Sequence, residues 1–149
     1  MGQSGILFGL TMFLGEYTHS LDSKFRLTVP SKFRNILAAG LVVTRSPNEP
    51  CLLAFPLDEW EKVSAKIDAL PKMDKKANRL RRAVFSKAEM LELDKQGRIL
   101  VSQRLREYAN ITDEVVLAGV NTHFELWNPG AWDEINEDVD DDMLEAFDV

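Results

Sequence analysis

The sequence predicts an α+β fold in which two copies of one small unit, made of strands with short helices, pair as an internal pseudo-dimer around a common core. The first observation behind this is a repeat. Leu21–Arg34, LDSKFRLTVPSKFR, returns in altered form at Leu93–Arg106, LDKQGRILVSQRLR. Asp22 and Arg26 recur as Asp94 and Arg98 at one offset of 72 positions, and Leu21, Val29 and Arg34 find identical residues at Leu93, Val101 and Arg106. The second observation is that the same features follow each copy: an apolar pair (Val42-Val43, Val115-Val116), then an apolar stretch ending in Pro and Trp, CLLAFPLDEW and FELWNPGAW. The third is size, since 149 residues at 45% hydrophobic composition suffice for two half-size units to share one core. A period this long, occurring twice, marks a duplicated unit rather than a solenoid.

Residues 1–11, MGQSGILFGLT, lack the basic start and long apolar core of a secretion signal, and the stretch from Met12 already makes a complete beginning. They are expected to be a mobile extension. Phe13–Leu21 alternates as a strand, the DSKF turn follows, and Arg26–Val29 gives a second short strand. Pro30 fits the first turn of a short helix over Ser31–Leu37, where its missing N–H does no harm, and Gly40 ends it. Leu41–Arg45 and Cys51–Phe55 are apolar runs on either side of SPNEP, whose prolines and Asn predict a loop between paired strands. Pro56 opens a helix with Trp60, Val63, Ile67 and Leu70 on one face, and Pro71 closes it. A further helix over Met73–Lys87 has Met73, Ala77, Leu80 and Val84 as its apolar stripe, with Lys75, Lys76, Arg79, Arg81 and Arg82 around the rest.

The second unit retraces the first. It predicts a strand at Ala88–Leu93, a turn at DKQG, a strand at Arg98–Val101, a helix over Ser102–Tyr108, and strands at Glu114–Val120 and His123–Trp127. Pro129 and Trp132 begin a closing helix, and the carboxylate-rich end forms a frayed helix or tail that retains Met143, Leu144 and Phe147. The expected division is an extension at 1–11, a first unit with connecting helices at 12–87, a second unit at 88–139 and an acidic tail at 140–149.

The net charge of −6 conceals a division along the chain. All 18 Lys and Arg lie within Lys24–Arg106, so residues 1–106 with 11 acids carry +7, whereas the remainder has 13 acids and neither Lys nor Arg. Such asymmetry predicts a basic surface for an anionic partner together with an acidic tail, and a pI near 5.0 does not argue against nucleic-acid binding. No apolar run reaches the length of a membrane-spanning helix. Cys51 is alone, which forbids an intramolecular disulfide and fits a reduced, cytoplasmic setting.

A unit of this size cannot bury both of its faces. Pairing two of them supplies the missing face, and the repeated turns are then expected to project from one edge of the common sheet. An Arg at a fixed place in a rigid turn suits the guanine edge in the major groove, where its fork meets O6 and N7 together. Arg26 is the stronger candidate for that contact, with Lys24, Lys32 and Arg34 at phosphates that set the register. Lys95 and Arg98 take the matching places in the second unit, Arg98 lying open between DNA and a neighbouring subunit. Asp22 and Asp94 would be repelled by phosphate, so their expected task is to organise the turn and hold the Arg.

The order GEYTHSLDSKFRLTVPSKFR, CLLAFPLDEW, LDKQGRILV and FELWNPGAW, with its paired D-x-x-x-R turns, resembles the MraZ family of bacterial regulators of the division and cell-wall gene cluster. The likeness runs from Met12 to about Val139. It implies two tandem AbrB-like swapped-hairpin units forming a pseudo-dimeric β-barrel, a ring-shaped homo-oligomer, and binding to short G-rich direct repeats in double-stranded DNA of its own promoter. A cytoplasmic, nucleoid-associated repressor is the function this implies. The family's signature falls on Asp22, Lys24 and Arg26, and on Asp94 and Arg98. One residue departs from it: Phe25 stands where the family commonly has Gly, as Gly97 is in the second unit. A positive backbone angle is less comfortable for Phe, so the first loop is expected to differ in detail, with Phe25 touching DNA or a neighbouring subunit.

Two other readings fit the same residues less well. A ring-forming scaffold without specific DNA binding would use the basic helix and the acidic tail to join subunits. A hydrolase using Asp22 and His19 is disfavoured because the second unit has no matching His. His19 and His123 have no Cys/His/Asp neighbours at metal-ligand spacing, and no phosphate-cradling glycine loop or nucleophile elbow is present. No catalytic residue, metal or cofactor is therefore expected.

Overall fold

The structure, a computed structural model, describes residues 12–137 and 142–148. The expected extension at 1–11, the last two residues of the expected second unit, 138–139, and residues 140, 141 and 149 of the acidic tail lie outside the described residues. Among the described residues eight strands run in chain order: β1 (Glu16–Ser20), β2 (Arg26–Thr28), β3 (Leu41–Arg45), β4 (Leu52–Pro56), β5 (Glu89–Leu91), β6 (Arg98–Leu100), β7 (Glu114–Gly119) and β8 (Phe124–Trp127). Between and after them lie helices α1 (Ser31–Arg34), α2 (Leu57–Asp68), α3 (Lys75–Phe85), α4 (Gln103–Tyr108), α5 (Pro129–Asn136) and α6 (Asp142–Ala146). Helix starts follow local chemistry. The Asp74 side chain accepts from the Ala77 N–H, that of Ser102 from Leu105, and that of Asn128 from Ala131 with Pro129 just inside.

Two antiparallel sheets result. The larger has the order β1-β7-β8-β4-β3-β5 and is open, since its end strands β1 and β5 do not pair with each other; the smaller is the β2-β6 ribbon. Exchanging each strand of the first half for its counterpart in the second (β1 for β5, β2 for β6, β3 for β7, β4 for β8) turns the larger order into its own reverse. Only the hairpins β3·β4 and β7·β8 pair within a half; β1·β7, β3·β5, β4·β8 and β2·β6 all join one half to the other. Along the axis of this symmetry each residue faces its own repeat 72 positions on, Leu27 opposite Ile99 and Leu53 opposite Glu125.

One main core fills the space between the sheets and the short helices. Phe13, Phe33 and Phe124 stand at its centre among Leu27, Leu41, Leu52, Ile99, Leu105 and Leu117, all essentially inaccessible. A smaller cluster on another face of the sheet groups Cys51, Val116 and Trp127, with Trp132 packed against them. Burial pushes the Cys51 thiol up to about 12, so it stays protonated and behaves as a small hydrophobe.

Two expectations are corrected. The repeated turns do not sit on the edge of the common sheet. They flank a separate ribbon, because the backbone donors just past β2 and β6 bond across the halves, Val29 N–H to Gly97 O at 2.9 Å and Val101 N–H to Phe25 O at 3.1 Å. Met73 is not on the apolar stripe of the basic helix: Asp74 caps that helix, which leaves Met73 outside it and 93% exposed. Among the described residues no helix is long and apolar enough to cross a membrane.

Candidate nucleic-acid interface

Asp and Arg at the ends of a five-residue stretch can close it on themselves, and here they do so twice in the same way. In the first turn the Phe25 N–H donates to Asp22 O at 2.9 Å, and the Asp22 N–H donates to Arg26 O at 3.0 Å. Asp22 Oδ1 accepts the N–H groups of Lys24 and Arg26, each at 2.9 Å, while Oδ2 accepts Arg26 Nε at 2.7 Å. In the second turn Gly97, Gln96 and Arg98 take these places around Asp94, with Arg98 Nε donating to Oδ2 at 2.8 Å. Each carboxylate thus satisfies turn donors with one oxygen and orients a guanidinium with the other.

This geometry decides which edge of the arginine is offered. With Nε held by the carboxylate, the opposite edge carrying the two terminal nitrogens is the one that can form a bidentate contact. In β2 and β6 the side chains of Arg26, Thr28, Arg98 and Leu100 share one face, since residues two apart and residues directly opposite lie on the same side. Leu27 and Ile99 point the other way into the core. The ribbon therefore has a fixed apolar underside and an outer face bearing two arginines. Arg26 is the more open, its side chain 31% exposed against 23% for Arg98, whose Nη1 also approaches Asp22 Oδ2 at 3.7 Å.

Lys24, Lys32 and Lys95 are exposed, Lys24 and Lys95 in the turns that flank this face and Lys32 on α1. Arg34 is half-buried, with Nε donating to Val29 O at 3.0 Å. The first loop does not differ from the second in its hydrogen bonds, contrary to the expectation drawn from Phe25. Phe25 adopts φ +62, close to the +75 of Gly97, and its ring lies 3.6 Å beneath the Arg106 guanidinium carbon. From sequence Arg106 is only one of the second unit's charges; the signal that marks it is its recurrence from Arg34 at the offset of the turns.

The carboxylates are stabilised in their charged form. The Arg26 backbone N–H is the largest influence holding Asp22 at about 2, below its usual 3.8, and the Arg98 backbone N–H likewise lowers Asp94. Because both folded values are depressed, the turn bonds are fully present above the ordinary carboxylate range and are lost only as pH falls below it, for Asp22 as pH falls through about 2. A carbon-detected titration of the two carboxyl groups should show no turn transition between pH 8 and 5 and a loss of the Arg26 and Arg98 Nε–H signals only in the acid limb.

His123 stacks on Phe55 with ring centroids 4.6 Å apart, and burial lowers its pKa. On α3, Lys75, Lys76, Arg79 and Arg82 are exposed, whereas Arg81 turns back to the carbonyls of Asp68, Leu70 and Pro71 behind α2. Among the described residues no group of His, Cys, Asp and Glu could hold a metal ion.

Two internally repeated Asp-x-x-x-Arg turns on a cross-paired ribbon define a duplicated α+β protein class. The family model described as "MraZ protein, putative antitoxin-like" matches residues 12–83 and again residues 84–147. The chain belongs to the MraZ family. It is 43% identical over 129 residues to a protein of Roseiflexus castenholzii named "Transcriptional regulator MraZ", covering 87% of this chain and 90% of that one. A protein of the same name from Roseiflexus sp. strain RS-1 is similar to the same extent, 43% over 129 residues with the same coverage.

Proposed function

We propose that the chain is a transcriptional regulator that binds double-stranded DNA through the outer face of the β2-β6 ribbon, and is not an enzyme. The observation that carries this is the identical wiring of two Asp–Arg turns, which aims two guanidinium groups outward from a ribbon anchored on the core. Arg26 and Arg98 make the base contacts, Arg98 in the more sheltered position. Lys24, Lys32, Lys95 and Arg34 neutralise phosphates, and Asp22 and Asp94 organise the turns. The fold is a pseudo-dimer of swapped hairpins, a reading supported by the reversible strand order and the cross-half pairing; in the barrel this implies, the open sheet and the ribbon would enclose the core without strand pairing between β1 and β5. The relatives' name supports regulation of transcription.

The finer reading is a cytoplasmic, nucleoid-associated repressor of its own division and cell-wall operon, a homo-oligomeric ring meeting short G-rich direct repeats. Repetition matters physically, because linked contacts raise apparent affinity through local concentration without any stronger single contact. The test is binding to DNA from upstream of its own gene at several salt concentrations. Affinity should fall as a power of salt, with a slope of about −0.9 per phosphate neutralised, and a scrambled duplex should bind more weakly. A ring that ignores both duplexes would support the scaffold reading instead.

A further inference from the structure

We propose that Arg106 is a positioning residue for the first turn: it holds Phe25 in the left-handed conformation and thereby sets the direction of Arg26. The proposal rests on the DNA-binding reading for its consequence but not for its geometry. Phe25 immediately precedes Arg26 and sits at φ +62, a region that non-glycine residues rarely adopt. One hydrogen bond and one cation–π contact from the opposite half enclose it. Its carbonyl accepts the Val101 N–H at 3.1 Å, and its ring is covered by the Arg106 guanidinium at 3.6 Å, a stacking distance at which a planar cation is attracted to an aromatic face. Arg106 is itself fixed, since its Nε donates to Val101 O at 2.9 Å. One short segment, Val101 to Arg106, therefore grips both the backbone and the side chain of Phe25.

The other turn contains the same device in a form that shows what it is for. Arg34 donates Nε to Val29 O at 3.0 Å and lies against Gly97, so closely that a Cβ there would fall 2.3 Å from Nε and 2.6 Å from Cζ. Val29 N–H in turn donates to Gly97 O at 2.9 Å. At Gly97 a positive φ of +75 involves no side chain, and glycine adopts it readily. At Phe25 the same angle is strained and the clamp must hold it. Losing the cation over Phe25 should therefore disturb its turn more than a similar loss at Gly97.

The experiment uses the full chain with Arg106→Ala, Arg106→Lys, and Arg106→Ala combined with Phe25→Gly. In DNA-free protein, Arg106→Ala should speed exchange of the Val101 amide, on the order of tenfold, and move the Phe25 backbone coupling constant away from its positive-φ value. With promoter DNA, the ratio of specific to scrambled affinity should fall roughly tenfold, within the worth of one mis-set bidentate contact, while the salt slope stays as in wild type. Lysine keeps the charge but neither the planar stack nor the Nε bond, so Arg106→Lys should behave like Arg106→Ala; Phe25→Gly should restore part of the ratio by removing the strain. Thermal midpoints identify any variant that does not fold, and Arg106→Lys then carries the test. A salt slope shallower by about 0.9 in Arg106→Ala, restored by lysine, would make Arg106 a phosphate ligand and overturn the proposal. Unchanged exchange and coupling would overturn it as well. If wild type itself does not discriminate the promoter, the functional reading fails, and the DNA-free measurements alone decide whether Arg106 positions the turn.

Discussion

Alanine at both Arg26 and Arg98 is expected to remove the preference for the promoter repeat while leaving a folded protein that still binds DNA weakly. Each bidentate arginine–guanine contact is worth about 1–3 kcal/mol of discrimination, so the pair together amounts to about 30-fold to 10⁴-fold in the ratio of specific to scrambled affinity. Linked modules would enlarge the loss, because every turn in an assembly forfeits its contact at once. Residual binding comes from Lys24, Lys32, Lys95 and Arg34, and it should keep its salt dependence. Stability should change little: the ion pairs Arg26–Asp22 and Arg98–Asp94 involve side chains 23–36% exposed, and solvent screens such pairs so that they contribute little. Lysine at both positions separates charge from geometry, since it preserves the cation but cannot reproduce the fork. Competition binding of the alanine and lysine doubles against promoter and scrambled duplexes, at one salt concentration, measures both effects. A double alanine protein that still distinguishes the two duplexes would show that these arginines do not read bases.

Much of the fold was legible because the chain states it twice. Asp22 and Arg26, repeated at Asp94 and Arg98, locate the turns without any knowledge of their surroundings, and the apolar runs around SPNEP locate the hairpin β3·β4 almost to the residue. What the sequence does not carry is partnership between halves. A strand such as Arg26–Thr28 has only three residues and one buried side chain, Leu27, so nothing local specifies that it pairs with β6 rather than joining the larger sheet. The same holds for Phe25. Propensity argues against a positive φ there, and only the packing of Arg106 from 81 positions away accounts for it. Met73 lies outside its helix for a local reason that spacing alone misses: Asp74 is a better helix cap than a helix interior residue, so the helix begins beyond the methionine.

Phe33→Ala is expected to destabilise the fold by about 3–5 kcal/mol. Phe33 is 1% exposed. It meets the Phe13 ring edge-on at 4.9 Å, the Tyr17 ring edge-on at 5.6 Å and the Phe124 ring in a stacked arrangement at 5.8 Å. Helix α1, which presents it, has four residues and no side-chain cap, so it is far too short to be stable alone and is held by this one anchor. The anchor also crosses the duplication, because Phe13 and Tyr17 belong to the first half and Phe124 to the second. Its repeat, 72 positions on, is Leu105, also 1% exposed, so neither half can collapse into the space the ring leaves without moving the other. For a chain of this length each kcal/mol lowers the melting temperature by about 2–4 °C, so the midpoint should drop by roughly 6–20 °C. In urea the midpoint should move while the slope stays constant. Lys32 and Arg34 flank Phe33 on the same helix, so promoter binding should weaken at temperatures where the variant is partly unfolded and return on cooling, with an unchanged salt slope. Binding that stays weak in fully folded, cooled protein would mean that α1 has lost its orientation as well as its stability.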